Sequence, residues 1–144
     1  VAEAAAAGWI NNAIEPLYKG GIKASHDFYQ VDYAAFGWSD FEDYYANSGV
    51  AYSQTEDLWK QHWLSVFFTG MEPYFAVRDW YVSAGGFDGI SFLSAPIGEN
   101  FNNYALPMRF QYPGQEQSLN AENYGAASGR YNGDDINAKM WLLQ

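Results

Sequence analysis

The residues that most often do chemistry are sparse in this chain. Its two histidines, His26 and His62, lie far apart, with no His-x-x-x-His and no EF-hand spacing, so a metal site has no local frame. There is no cysteine, which removes thiolate nucleophiles, disulfides and cysteine metal sites. No Gly-x-Ser-x-Gly elbow occurs. Gly85-Gly86-x-x-Gly89 lacks both the lysine and the spacing of a phosphate loop. Glycoside hydrolysis needs two carboxyls held about 5–10 Å apart. Seventeen acidic residues are present, but nothing in their spacing singles out a pair. Asp134-Asp135, following Gly133, read as solvated turn acids. The chain is therefore expected to be no enzyme and to carry neither metal nor cofactor.

Aromatic chemistry is what remains. Twelve Tyr and six Trp exceed what the core of a 144-residue chain needs, so some of these rings are expected at a surface that meets something. The stretch 31–52, VDYAAFGWSDFEDYYANSGVAY, concentrates rings and acids without a sustained helical or strand period. It reads as a long surface excursion, and Trp38, Tyr44, Tyr45, Tyr33 and Phe36 are its candidate stacking platform for sugar or peptide. The competing reading is that these rings cover helix ends or meet a partner protein. Net charge is −10, and between Lys23 and Lys60 stand seven acids and no base, a surface that repels phosphate backbones and argues against nucleic acid. The uncharged run from Trp63 to Met71 is far too short to span a membrane, which takes roughly 20 residues.

The elements that must position these rings read as helices. VAEAAAAGWI favours helix through its alanines until Gly8. A second helix starts near Pro16 and buries one face through Ile14, Leu17, Tyr18, Ile22, Ser25, Phe28 and Tyr29; Gly21 and Ser25 on that face predict close approach of another helix. Ser39-x-x-Glu42 and Ser53-x-x-Glu56 are capping-box patterns. QHWLSVFFTGMEPYFAVRDW, residues 61–80, holds six aromatic residues around Gly70 and Pro73, which fit a helix stop and restart. This predicts an antiparallel hairpin of 54–69 with 73–82. Residues 85–118 are expected to be irregular, with Asn120 capping a short helix through Ala127, then a turn-rich 128–135 and an apolar tail of Ile136, Met140, Trp141 and Leu142. The expected class is mainly α, tetratricopeptide-like helical hairpins over 1–83, followed by a loop-rich region over 84–144.

Several segments in series carry a resemblance. AEAAAAGW with LYKGGIKASHDFY, the hairpin LWKQHWLSVFFTGMEPYFAVRDW (Gln61, Trp63, Gly70, Glu72, Arg78), LPMRFQYPGQEQSLNAENYGAA (Pro107, Arg109, Tyr112, Pro113, Glu116, Asn120, Asn123, Tyr124) and GDDINAKMWLLQ together resemble SusD/RagB-like outer-membrane lipoproteins, in order over nearly the whole chain. The sequence departs from the family pattern at Asp79-Trp80-Tyr81, where Arg-Thr-Gly often follows Arg78, and at Leu142. The stretches 31–52 and 86–103 have no clear match.

The resemblance implies the C-terminal portion of a longer protein, lipid-anchored upstream of this chain on the extracellular face of the outer membrane. It further implies a partner, a TonB-dependent SusC-like barrel for which the protein acts as lid, and an oligosaccharide or peptide ligand. Glu72, Arg78, Pro107, Arg109, Pro113 and Asn120 are carried over as structural residues: Glu72 at a helix start, Arg78 as a peg to a carboxylate, the prolines and Asn120 as guides of an extended path. Two other classes remain open at this point, an interaction module of another surface complex and a glycan-processing enzyme. Copurification with the barrel distinguishes the first of these, and product formation from a polysaccharide the second.

Overall fold

The computed structural model describes residues 1–93, 102–103, 105–140 and 143. Seven α-helices are present among them: α1 (Ala2–Ala6), α2 (Ile14–Phe28), α3 (Phe41–Asn47), α4 (Thr55–Ser65), α5 (Glu72–Ala84), α6 (Gly114–Leu119) and α7 (Ala121–Ser128). Short 3₁₀ turns lie at Ala34–Phe36, Phe87–Gly89 and Gly129–Tyr131, and no strand occurs among the described residues. The protein is helical, and the pairs α1–α2 and α4–α5 are consistent with tetratricopeptide-like hairpins. The chain divides into two compact units, Val1–Trp80 and Tyr81–Gln144.

In the first unit α1 packs on α2 and α4, and α2 packs on α4. Tyr18 and Ile22 of α2, Phe41 and Tyr45 of α3 and Leu58 of α4 form the core, with Ala2, Tyr33, Tyr44, Val50 and Tyr52 packed against it. Burial of each such side chain contributes about 1.5–3 kcal/mol. The buried phenol of Tyr18 donates to the Val50 carbonyl at 2.7 Å, and burial pushes its pKa well above the usual tyrosine range. Residues 31–52 are thus no surface excursion. They supply α3 and much of the core, because Phe41 and Tyr45 fall four apart on one helix face.

Helix starts follow the expected logic one residue later. Asp40, not Ser39, caps α3, accepting from the Asp43 amide at 2.9 Å, while Asp43 accepts from the Ser39 amide. Asp57, not Glu56, reaches back before α4 and accepts from Ser53 N, Ser53 Oγ and Gln54 N at 2.8–2.9 Å. These bonds hold the carboxyls of Asp43 and Asp57 below the usual range, against desolvation that acts the other way and is the largest influence on Asp57. Pro16 sits in the first turn of α2, where its missing N–H costs no helical bond. Gly70, at φ 64, turns the chain from α4 into α5, whose first residue is Glu72. Arg78 lies buried in α5, its guanidinium 3.3 Å from the Tyr74 ring centroid and donating to the Tyr74 carbonyl. These contacts are a cation–π pair and a hydrogen bond within one helix turn.

The second unit is organised by a buried ion pair. Arg109 and Asp134 have side chains only 5% and 6% exposed and meet through Nη1 and Oδ1. Asp134 also accepts from the Tyr112 amide, and the Arg109 guanidinium stacks near Tyr112 and Tyr131. Asp134 is not a solvated turn acid. The left-handed run Asn132, Gly133, Asp134, at φ 52, 82 and 74, turns it inward. Around this pair, the amides of Met108 and Arg109 both bond the Ile136 carbonyl. Pro113 precedes α6, which occupies part of the stretch expected to be irregular. Asn120 divides α6 from α7, but its side chain bonds Glu116 and Asn123 rather than the amides of α7. Gly89 is required because a Cβ there would meet the Ala84 carbonyl oxygen at 2.0 Å. Pro107 is exposed, and Trp141 and Leu142 lie outside the described residues.

Removing one member of a buried ion pair leaves the other charge uncompensated and costs about 3–5 kcal/mol. Asp134→Ala should lower stability by that order and accelerate hydrogen exchange at the Tyr112 amide; wild-type exchange there would show that the pair does not hold the unit.

Candidate functional site

The residues expected to stack on a ligand do not share one surface. Tyr45 is 6% exposed and belongs to the core, so its faces are taken by Phe41 and Tyr18 and by the Lys19 ammonium. Phe36 is at the other extreme, 73% exposed on its 3₁₀ turn. Between them, Tyr33, Trp38 and Tyr44 are half-buried and adjacent: Tyr44 lies 6.2 Å from Tyr33 and 6.0 Å from Trp38, the latter edge to face at 78°. His26 of α2 supports this group from behind, 5.0 Å from the Tyr44 ring and with Nδ1 3.0 Å from the Tyr33 hydroxyl. The left-handed Gly37, at φ 85, lets the chain double back so that Trp38 reaches Tyr44. The Lys19–Glu42 pair and the caps of α3 fix that helix against α2.

Tyr44 and His26 also line a groove of about 650 Å³ between α1, α2 and α4. Its floor is Tyr18, Ile22 and Leu58, and Ser25, Tyr29, Gln61 and Ser65 add polar groups. A Cβ placed on Gly20 or Gly21 would meet nothing within 4 Å. Gly21 therefore does not serve close helix packing here. It leaves one wall of the groove low.

Glu3 and His62, which also line the groove, belong to a polar knot that no motif announced. The Glu3 carboxylate accepts from the Trp80 indole N–H at 3.1 Å and meets His62 Nδ1 at 3.1 Å. Trp80 is 3% exposed, lies near-parallel to Trp59 at 6.0 Å and 16°, and meets the His62 ring edge-on. One acid thus ties α1, α4 and α5. The signals were present in the sequence: Glu3 is the one charge in an alanine-rich segment, and Trp80 stands where the family pattern fails.

The two histidines have opposite electrostatics. The Glu3 carboxylate raises the pKa of His62 above its ordinary 6.5 despite desolvation, whereas burial lowers that of His26. Among the described residues no group of three or more His, Asp or Glu is placed to hold a metal ion, and no helix is long and apolar enough to cross a membrane.

A SusD-like family model, described as starch-binding and associating with outer membrane, matches residues 1–113. Comparison with curated proteins found no match, and comparison with solved structures found none either.

Because His62 is raised, its contribution to stability is fully present below pH 6.5 and is lost as pH rises through its folded pKa; His26, lowered, costs stability as pH falls below 6.5. Imidazole NMR titration should place His62 above and His26 below 6.5, and Glu3→Gln should bring only His62 back down. An unmoved His62 in that variant would contradict the knot.

Proposed function

The chain belongs to the SusD-like family, and on that premise we propose that it captures glycan at the extracellular face of the outer membrane and hands it to a TonB-dependent, SusC-like barrel. It works by binding and release, without catalysis, and a lipid anchor upstream of this chain holds it at the membrane. The observation that carries this reading is the Trp38–Tyr44–Tyr33 ring group, whose Tyr44 also lines the groove. Sugars present apolar C–H faces ringed by hydroxyls. A half-exposed aromatic wall beside a pocket with a few convergent polar groups fits that pattern. Phe36, on the adjacent turn, offers a further exposed ring. Net charge of −10 disfavours phosphorylated or nucleic-acid ligands.

A second reading, an interaction module of a surface assembly, is favoured by a different feature. Phe28, Phe67 and Phe68 are 79%, 48% and 81% exposed near the ends of α2 and α4, and Tyr29 links them through ring contacts with Phe28 and Phe68. A ring cluster of this kind suits a protein partner. Copurification of a SusC-like barrel supports capture for import, and a stable different partner supports the second reading.

Trp38→Ala should weaken binding of a maltooligosaccharide by about tenfold, the equivalent of one aromatic contact of roughly 1–1.5 kcal/mol, with a small fall in the unfolding midpoint from the lost contact with Tyr44. Undiminished affinity, measured by calorimetry, would remove Trp38 from the site.

A further inference from the structure

We propose that the groove between α1, α2 and α4 is a second subsite, taking one end of a neutral oligosaccharide, with Glu3 and His62 as the hydrogen-bonding pair that reads its hydroxyls. This rests on the glycan-capture reading and extends it to residues that reading does not need.

Three observations converge on the groove. Its volume, about 650 Å³, falls in the range of small-molecule sites. Tyr44 and His26 line it, and Tyr44 also touches Trp38 of the ring group. Glu3 and His62 line it too and present a fixed acceptor beside a fixed imidazole, with side chains 37% and 41% exposed.

The chemistry of that pair suits a sugar hydroxyl. A carboxylate offers about four lone-pair positions. Oε1 of Glu3 takes the Trp80 indole, and His62 Nδ1 lies 3.1–3.2 Å from both oxygens. Oε2 therefore retains room for a further donor. Since Nδ1 faces Glu3, Nε2 is the other hydrogen-bonding atom of the His62 ring. A hydroxyl can donate to the carboxylate while its neighbour bonds the imidazole. The Trp80 indole, buried and stacked on Trp59, fixes the carboxylate in advance and so reduces the cost of ordering it on binding.

Charge selects the ligand class. No Lys or Arg lines the groove among the described residues, and the charge of a protonated His62 is already met by Glu3, which itself repels anions, so a neutral sugar is favoured over a uronate or sulfated one.

The test uses the intact protein, with maltoheptaose as probe, calorimetry for affinity and thermal unfolding for stability. Gly21→Trp projects an indole into open space and is expected to weaken binding at least tenfold while leaving the unfolding midpoint unchanged or raised. Gly21→Ala, which adds a single methyl, is expected to bind as wild type. An oligogalacturonide of the same length is expected to bind more weakly than maltoheptaose.

Wild-type affinity in Gly21→Trp overturns the subsite while leaving the ring group around Trp38 untouched. A fall in the unfolding midpoint of Gly21→Trp also overturns it, because some other part of the protein would then occupy the groove. No binding of maltoheptaose by the wild type overturns both this inference and the capture reading.

Discussion

The first unit depends on how one carboxylate satisfies a buried indole. Trp80 is almost fully enclosed, and an enclosed N–H without an acceptor costs about 1–3 kcal/mol. Glu3 supplies that acceptor from a helix of five residues, too short to be stable alone in water. The relation is reciprocal. α1 is placed by its bonds to α4 and α5 and by the packing of Ala2 on the core, and Trp80 in turn gives its indole N–H to α1. His62 closes the arrangement with a bond that strengthens when it carries a proton. The groove inherits its shape from this, since Val1, Ala2 and Glu3 form one of its walls.

The second unit solves a similar problem with full charges. Arg109 and Asp134 are both buried, and desolvation of such a pair is offset only when the remaining donors and acceptors are also bonded. The Tyr112 amide meets the carboxylate, and Tyr112 and Tyr131 lie near the guanidinium. This clasp joins the segment before α6 to the turn after α7. That is how a region with short helices and much irregular chain keeps a defined path. In both units a single acid, far in sequence from its partners, does the organising.

That distance explains what the sequence could and could not disclose. Helix periodicity, Pro16, Gly70 and the acids near helix starts are local, and they placed α2, α4 and α5 within a few residues. The caps slipped by one because Asp40 and Asp57 compete with Ser39 and Glu56, and only backbone geometry decides between neighbours. The stretch 31–52 misled for a physical reason. A short helix that buries two rings four apart, flanked by half-buried tyrosines, has the same composition as a ring-rich loop. Tyr44 stands at the groove, but Tyr45, one residue on, points to the core, a separation set by the 100° step of a helix. The resemblance to SusD-like proteins named Arg109 without its partner. Glu3, His62 and Trp80 are separated by up to 77 positions, beyond any local pattern.

Function follows from the same division of labour. The scaffold aromatics of α4 and α5 are mostly spent on packing, Trp59 on Trp80 above all, and Tyr44 and Tyr29 are among the rings left to line the groove. A capture protein needs little more than this: rigid ring faces, a few oriented polar groups, and no reactive centre. The most direct measurement is a crystal structure of the intact protein soaked with maltoheptaose. Sugar density is expected over Trp38 and Tyr44 and running into the groove toward Glu3 and His62. Density on another surface, or a groove filled by a different part of the protein, would contradict it.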